Sequence, residues 1–209
     1  MAFFNCKNLK EINLEDTKVF EINEKAFNKC TGLNTISFPN TLKRLAYASF
    51  KDTGITNLDL SNTSIKELVD CAFQDNFSLL SVILPDCIEE LKFKTFDGCE
   101  KLNKIDLKHI ITIDLSALNN TNIKNLYLPS SLVSLYINGN EKPPLESITY
   151  TTLSKTDIKE LTNFLRIYYP YIKIKCKNID YLLDEKKSFK EINNFYKEIA
   201  NMNTSKERE

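Results

Sequence analysis

A pair made of a small residue and an apolar one returns six times along this chain. It stands at Ala2-Phe3, Ala26-Phe27, Ser49-Phe50, Ala72-Phe73, Thr95-Phe96 and Ala117-Leu118, with spacings of 24, 23, 23, 23 and 22 residues. An apolar frame follows each pair in register. Leu9, Leu33, Ile55, Leu79, Leu102 and Ile123 open it. Ile12, Ile36, Leu58, Val82, Ile105 and Leu126 come three residues later, and Leu14, Phe38, Leu60, Leu84, Leu107 and Leu128 two residues after those. Pro follows in three units, at Pro39, Pro85 and Pro129, and a last apolar residue returns at Ile22, Leu45, Leu68, Leu91 and Ile113. Six units in register make an internal repeat, and this limits the fold more than any other feature of the chain.

The end of the frame, I-x-L, alternates as a short strand does when one face is buried and the other solvated. Strands of successive coils, stacked about 4.8 Å apart, build a parallel sheet along one side of a solenoid. Pro after the strand removes a donor and turns the chain out of the sheet. The second apolar pair, as in Leu42 and Leu45 or Ile88 and Leu91, returns along another face, and the A-F-x-x-C segment closes the coil as a turn of 3-10 type. One coil alone buries too little to offset the entropy of ordering it, so the array folds as a stack.

The stretch "AFQDNFSLLSVILPDCIEELKFKTFDGCEKLNKIDL", Ala72 to Leu107, resembles the BspA-type leucine-rich repeat with its A-F-x-x-C-x-x-L-x-x-I-x-L-P pattern. The resemblance covers residues 2 to about 139 and implies a leucine-rich-repeat solenoid: parallel β coils of about 23 residues with short 3-10 or turn segments. It also implies adhesion or protein binding, since members of that family are largely surface or secreted proteins. Six coils are expected over 2–139 and an irregular final coil over 140–153, where Pro143-Pro144 interrupts the frame. Ile158, Leu161, Leu165 and Tyr168, then Phe189, Ile192, Tyr196 and Ile199, recur at helical spacing, so an α-helical C-terminal cap is expected over 154–200. The alternating "YIKIKC" within it reads as one more strand, and the charged 201–209 as a frayed tail.

Composition narrows the function. Twenty-eight basic residues balance 28 acidic ones, so no bulk charge favours nucleic acid or an anionic membrane surface. No apolar run reaches the roughly 18 residues of a membrane span, and "MAFFNCKNLKEINLED" lacks the features of a secretory signal. A cytoplasmic location is therefore expected, with the cell surface as the alternative if an upstream segment is missing. Met1 leads directly into a repeat, so a fragment of a longer array is the favoured reading of the uncapped first coil; association through that coil is the other.

Reactive constellations are sparse. Cys6, Cys30, Thr53, Asn76, Cys99 and Thr121 share one column, as small residues able to hydrogen-bond a turn. A ladder of reduced, structural side chains is expected there rather than disulfides or a metal site, and Cys71, Cys87 and Cys176 add no C-x-x-C spacing. The single histidine, His109, has no nucleophile placed beside it by the sequence, and no phosphate-loop, nucleophile-elbow or zincin motif occurs. Asp59 and Asp106 fall two coils apart, about 10 Å, wide for a carboxylate pair. Sequons at Asn62, Asn76, Asn119 and Asn203 suit so Asn-rich a composition by chance. No enzyme, metal or cofactor is expected.

The outward face of the strands remains. Asn13, Ser37, Asp59, Ile83, Asp106 and Tyr127 lie between the inward apolar positions, vary from coil to coil, and are the candidate partner-binding residues. Ile83 and Tyr127 stand out as apolar members of a polar column. The function expected is a non-catalytic module that binds a protein on this face; a surface adhesin-type repeat is the alternative.

Overall fold

The computed structural model describes residues 2–150, 167–169 and 173–176. The chain forms two compact units, Met1–Lys124 with Ser131–Pro144, and Asn125–Ser130 with Leu145–Glu209.

In the first unit the repeat folds as parallel coils. Along one side, Glu11–Asn13 pairs with Thr35–Ser37 and Asn57–Asp59 with Ser81–Ile83, which puts Ile12 beside Ile36 and Leu58 beside Val82. A second row runs along another side: Glu21–Ile22 pairs with Arg44–Leu45, and Glu67–Leu68, Glu90–Leu91, Thr112–Asp114 and Ser134–Tyr136 form a four-stranded parallel sheet. The core between is made of the column residues; Leu33, Ile55, Leu79 and Leu102 are fully buried.

The small-apolar pair does more than close the coil. Phe3, Phe27, Phe50, Phe73 and Phe96 form one stack with centroids 5.2, 5.0, 5.5 and 5.7 Å apart and nearly parallel planes, a spacing that favours offset rings. Their backbone amides form a ladder as well. Phe3 donates to the Ala26 carbonyl, Phe27 to Ser49, Phe50 to Ala72, Phe73 to Thr95 and Phe96 to Ala117, all at 2.8–3.0 Å. Ala26, Ser49, Ala72 and Thr95, which precede the four later rings, are buried, where a larger side chain would crowd the adjoining coil.

Left-handed residues bracket these turns. Asn5, Lys29, Asp52, Asp75, Gly98 and Asn120 have φ between 51° and 79°, and Lys25, Ala48, Cys71 and Lys94 between 50° and 59°. Such angles are costly outside glycine, and the ladder bonds on either side hold them. Gly32 has a different reason: a Cβ there would stand 2.1 Å from the Lys7 carbonyl oxygen of the coil before.

The fifth coil departs from the expectation. Residues 104–106 form no strand, although Ile105 keeps its buried place. In coils three and four a side-chain ladder reinforces the row, with the Ser81 hydroxyl donating to Asn57 Oδ1 at 2.7 Å.

In the second unit Asn125–Leu128, Ser147–Tyr150 and Lys173–Cys176 form a parallel sheet, with Leu126, Ile148 and Ile174 in register. The stretch read as an irregular final coil, 140–153, thus carries a four-residue strand whose residues are all buried, and within "YIKIKC" Lys173–Cys176 forms a strand. Apart from 167–169 and this strand, the helical cap expected over 154–200 and the tail over 201–209 lie outside the described residues.

Candidate functional site: the outward face of the first strand row

Each coil sends its inward column into the core and leaves the residue between for the outside. The pairing brings the candidates together two by two. Asn13 is the register partner of Ser37, and Asp59 of Ile83. Asp106 lies within the strandless segment of coil five. Tyr127 belongs to the second unit, where it registers with the buried Thr149.

Three of the six already have work inside their own coil. Asn13 Oδ1 accepts from the Glu15 amide at 2.9 Å, Asp59 Oδ1 from the Ser61 amide at 2.9 Å and hydroxyl at 2.6 Å, and Asp106 Oδ1 from the Lys108 amide at 3.1 Å. Each carboxylate or amide closes an Asx turn as the chain leaves the strand row. Their recurrence in one column comes from turn chemistry.

Coil four differs. Ile83 is 52% exposed, and Leu80 and Phe77, earlier on the same coil, are 52% and 48% exposed. Leu80 replaces the Lys10, Asn34, Thr56, Asn103 and Lys124 of the other coils, and Phe77 stands where Lys7 and Glu100 do. Leu80 and Phe77 join Ile83 as apolar breaks in these columns, a signal legible in the sequence beside Ile83 itself. Tyr127 is likewise half exposed.

The inward polar column folds as a ladder. Asn76 Nδ2 donates to the Phe50 and Phe73 carbonyls at 2.8 and 2.7 Å, and Thr53 donates to its Oδ1. Cys30 Sγ reaches the Phe3 carbonyl at 2.9 Å, Cys99 Sγ the Phe73 carbonyl at 3.3 Å, and the Thr121 hydroxyl the Leu118 carbonyl at 2.7 Å. Burial pushes the thiols of Cys30, Cys71 and Cys99 above their ordinary pKa, which keeps them protonated and unreactive. Among the described residues no group of three or more His, Cys, Asp or Glu is placed to hold a metal ion. His109 Nε2 lies 3.3 Å from Asp86 Oδ1, a carboxylate open to solvent.

The second row is charged. Lys92 lies 2.7 Å from Glu67 and 3.6 Å from Glu90, Lys66 lies 3.8 Å from Glu89, and Arg44 pairs with Glu21. The bond to Glu67, and then its charge, holds the Lys92 pKa above the ordinary lysine value. Charges of opposite sign thus meet across neighbouring coils on this face.

The family model for the BspA type leucine rich repeat region matches six copies, over residues 1–85, 21–142 and 66–190. The chain belongs to the BspA-type leucine-rich repeat family. It is a parallel β-solenoid of about six turns, of a class that generally serves protein interaction or adhesion and is typically non-catalytic. Among solved structures it is similar to a leucine-rich repeat protein from Bacteroides ovatus, at 21% identity and a TM-score of 0.44, over 82% of this chain and 52% of that one. The BspA-type chain thus spans about half the length of that protein. A search of curated proteins finds no match. No helix among its described residues is long and apolar enough to cross a membrane.

Proposed function

We propose that this chain is a non-catalytic module that binds a protein partner on the outward face of its first strand row, with coil four as the anchor. The face comprises Asn13, Ser37, Asp59, Ile83 and Asp106; Tyr127 is a separate candidate contact, on the second unit by itself. One observation carries the reading: Ile83, Leu80 and Phe77 are each about half exposed on one coil, in columns that are mainly polar elsewhere. Apolar and aromatic side chains that gain most from being covered dominate the energetics of protein interfaces.

The test uses partners crosslinked to the chain in its native cells and then re-bound to purified protein. Ile83→Glu with Leu80→Glu should weaken re-binding by about 2 kcal/mol or more, roughly thirtyfold, with the far-UV spectrum unchanged. Asp59→Ala should leave affinity within about twofold while lowering stability by about 1 kcal/mol, since its carboxylate serves the turn. Unchanged re-binding by the double variant would place the interface elsewhere.

A cytoplasmic site of action is part of the proposal. Asn76 begins a sequon, Asn76-Phe77-Ser78, yet its amide donates to two buried carbonyls and is fully buried. A glycan there would remove a donor hydrogen and has no room, which supports a compartment without N-glycosylation. The native protein should resist a non-permeant protease on intact cells; its loss would move the module to the cell surface.

A further inference from the structure

The chain contains one Asn-Gly step, Asn138-Gly139. Asn138 is exposed, Gly139 has φ +92°, and a Cβ built on that glycine would meet nothing within 4 Å. The backbone there is open to the close approach that a side-chain carbonyl needs to react with the next amide nitrogen. What the Asn138 side chain holds is unusual. Its Nδ2 donates to Asp114 Oδ2 at 2.7 Å and its own backbone amide to Asp114 Oδ1 at 3.2 Å. Asp114 is fully buried. Its Oδ1 also accepts from the Ser116 amide at 3.0 Å and hydroxyl at 2.7 Å, which caps the 3-10 helix Leu115–Leu118. Among the described residues, four neutral donors hold this buried carboxylate, and two of the four come from Asn138.

We propose that Asn138 is a deamidation site, and that its conversion is a one-way latch that opens this end of the array. In the first step the Gly139 nitrogen attacks Asn138 Cγ. A C–N bond forms, the side-chain amide nitrogen leaves, and it carries the Gly139 proton away as ammonia. Water then adds to one carbonyl of the resulting imide and breaks a C–N bond, leaving aspartate or isoaspartate. No oxidant or second substrate enters. The product puts a carboxylate oxygen where the donor Nδ2 stood, 2.7 Å from Asp114. Two carboxylates at that distance stay together only if one of them holds a proton, a cost at neutral pH that the amide donor did not carry; when both are ionised, Asp114 has lost that donor. The loop around Gly139 therefore releases Asp114, and the cap of Leu115–Leu118 loosens with it. The isoaspartate product adds a methylene to the backbone and cannot restore the bond.

The experiment holds the purified full-length chain in warm, mildly alkaline buffer. Peptide mass spectrometry and labelling by an isoaspartate-specific methyltransferase follow each Asn, while hydrogen exchange follows the Ser116 and Asn138 amides. Asn138 should lose ammonia before every other Asn, and exchange at both amides should rise roughly tenfold or more as it does. Fresh Asn138→Asp protein should show that rise without incubation. Conversion no faster than at other Asn residues overturns the proposal. So does wild-type exchange at Ser116 once Asn138 has converted, or in the Asn138→Asp protein.

Discussion

Asn76 shows what a single position does in this repeat. Where Cys30, Cys99 or Thr121 reaches one carbonyl, Asn76 spans two coils through Phe50 and Phe73 and takes the Thr53 hydroxyl besides. Asn76→Ala strands those buried groups together and should cost about 2–4 kcal/mol in a denaturant titration. The thiols give a second expectation. Native protein should alkylate at the exposed Cys6 and Cys87 and spare Cys30, Cys71 and Cys99. Because folding raises the pKa of the buried three, their contribution to stability is whole below the ordinary thiol value of 9.0 and declines as pH rises above it toward the folded value. Unfolding midpoints measured across that range check the direction. The ladder was legible because its members share one chemistry. The left-handed positions were not: Lys25, Lys29, Ala48 and Cys71 are poor residues for φ > 0, and only the cross-coil bonds that fix them explain their conformation.

At the scale of the coil, the phenyl stack and the amide ladder beneath it join one repeat to the next. Phe50 lies mid-stack with no exposed surface, and it also meets Phe38 edge-on at 5.7 Å. Phe50→Ala should cost about 3–5 kcal/mol, whereas Phe3→Ala, at the half-exposed end, should cost far less. Chemical denaturation of the two variants side by side makes the comparison. The strand frame was readable from I-x-L alone, yet the strand Ser147–Tyr150 was read as irregular. Leu145, Ile148 and Tyr150 keep the L-x-x-I-x-L spacing, with Ile148 22 residues after Leu126; Tyr in the last place and Pro143-Pro144 just before it hid the match. The reverse happened at coil five, where the frame is intact but residues 104–106 form no strand. On the outward face, column variability alone did not separate turn chemistry from an exposed anchor. Asn13, Asp59 and Asp106 look like ligands in sequence because Asx caps and binding sites draw on the same residue types.

For the molecule as a whole, stability in such an array resides in the contacts between adjacent coils more than within any one of them. The binding proposal depends on this, since an outward residue such as Ile83 can change without disturbing the column behind it. The most direct test of the stack is residue-resolved amide hydrogen exchange on the native chain. The amides of Phe27, Phe50, Phe73 and Phe96 each donate to the next coil, so they should exchange slowly and as a set, with protection recurring at the spacing of the repeat. Fast exchange at these amides, or protection gathered in one region without that recurrence, would contradict the stacked-coil account.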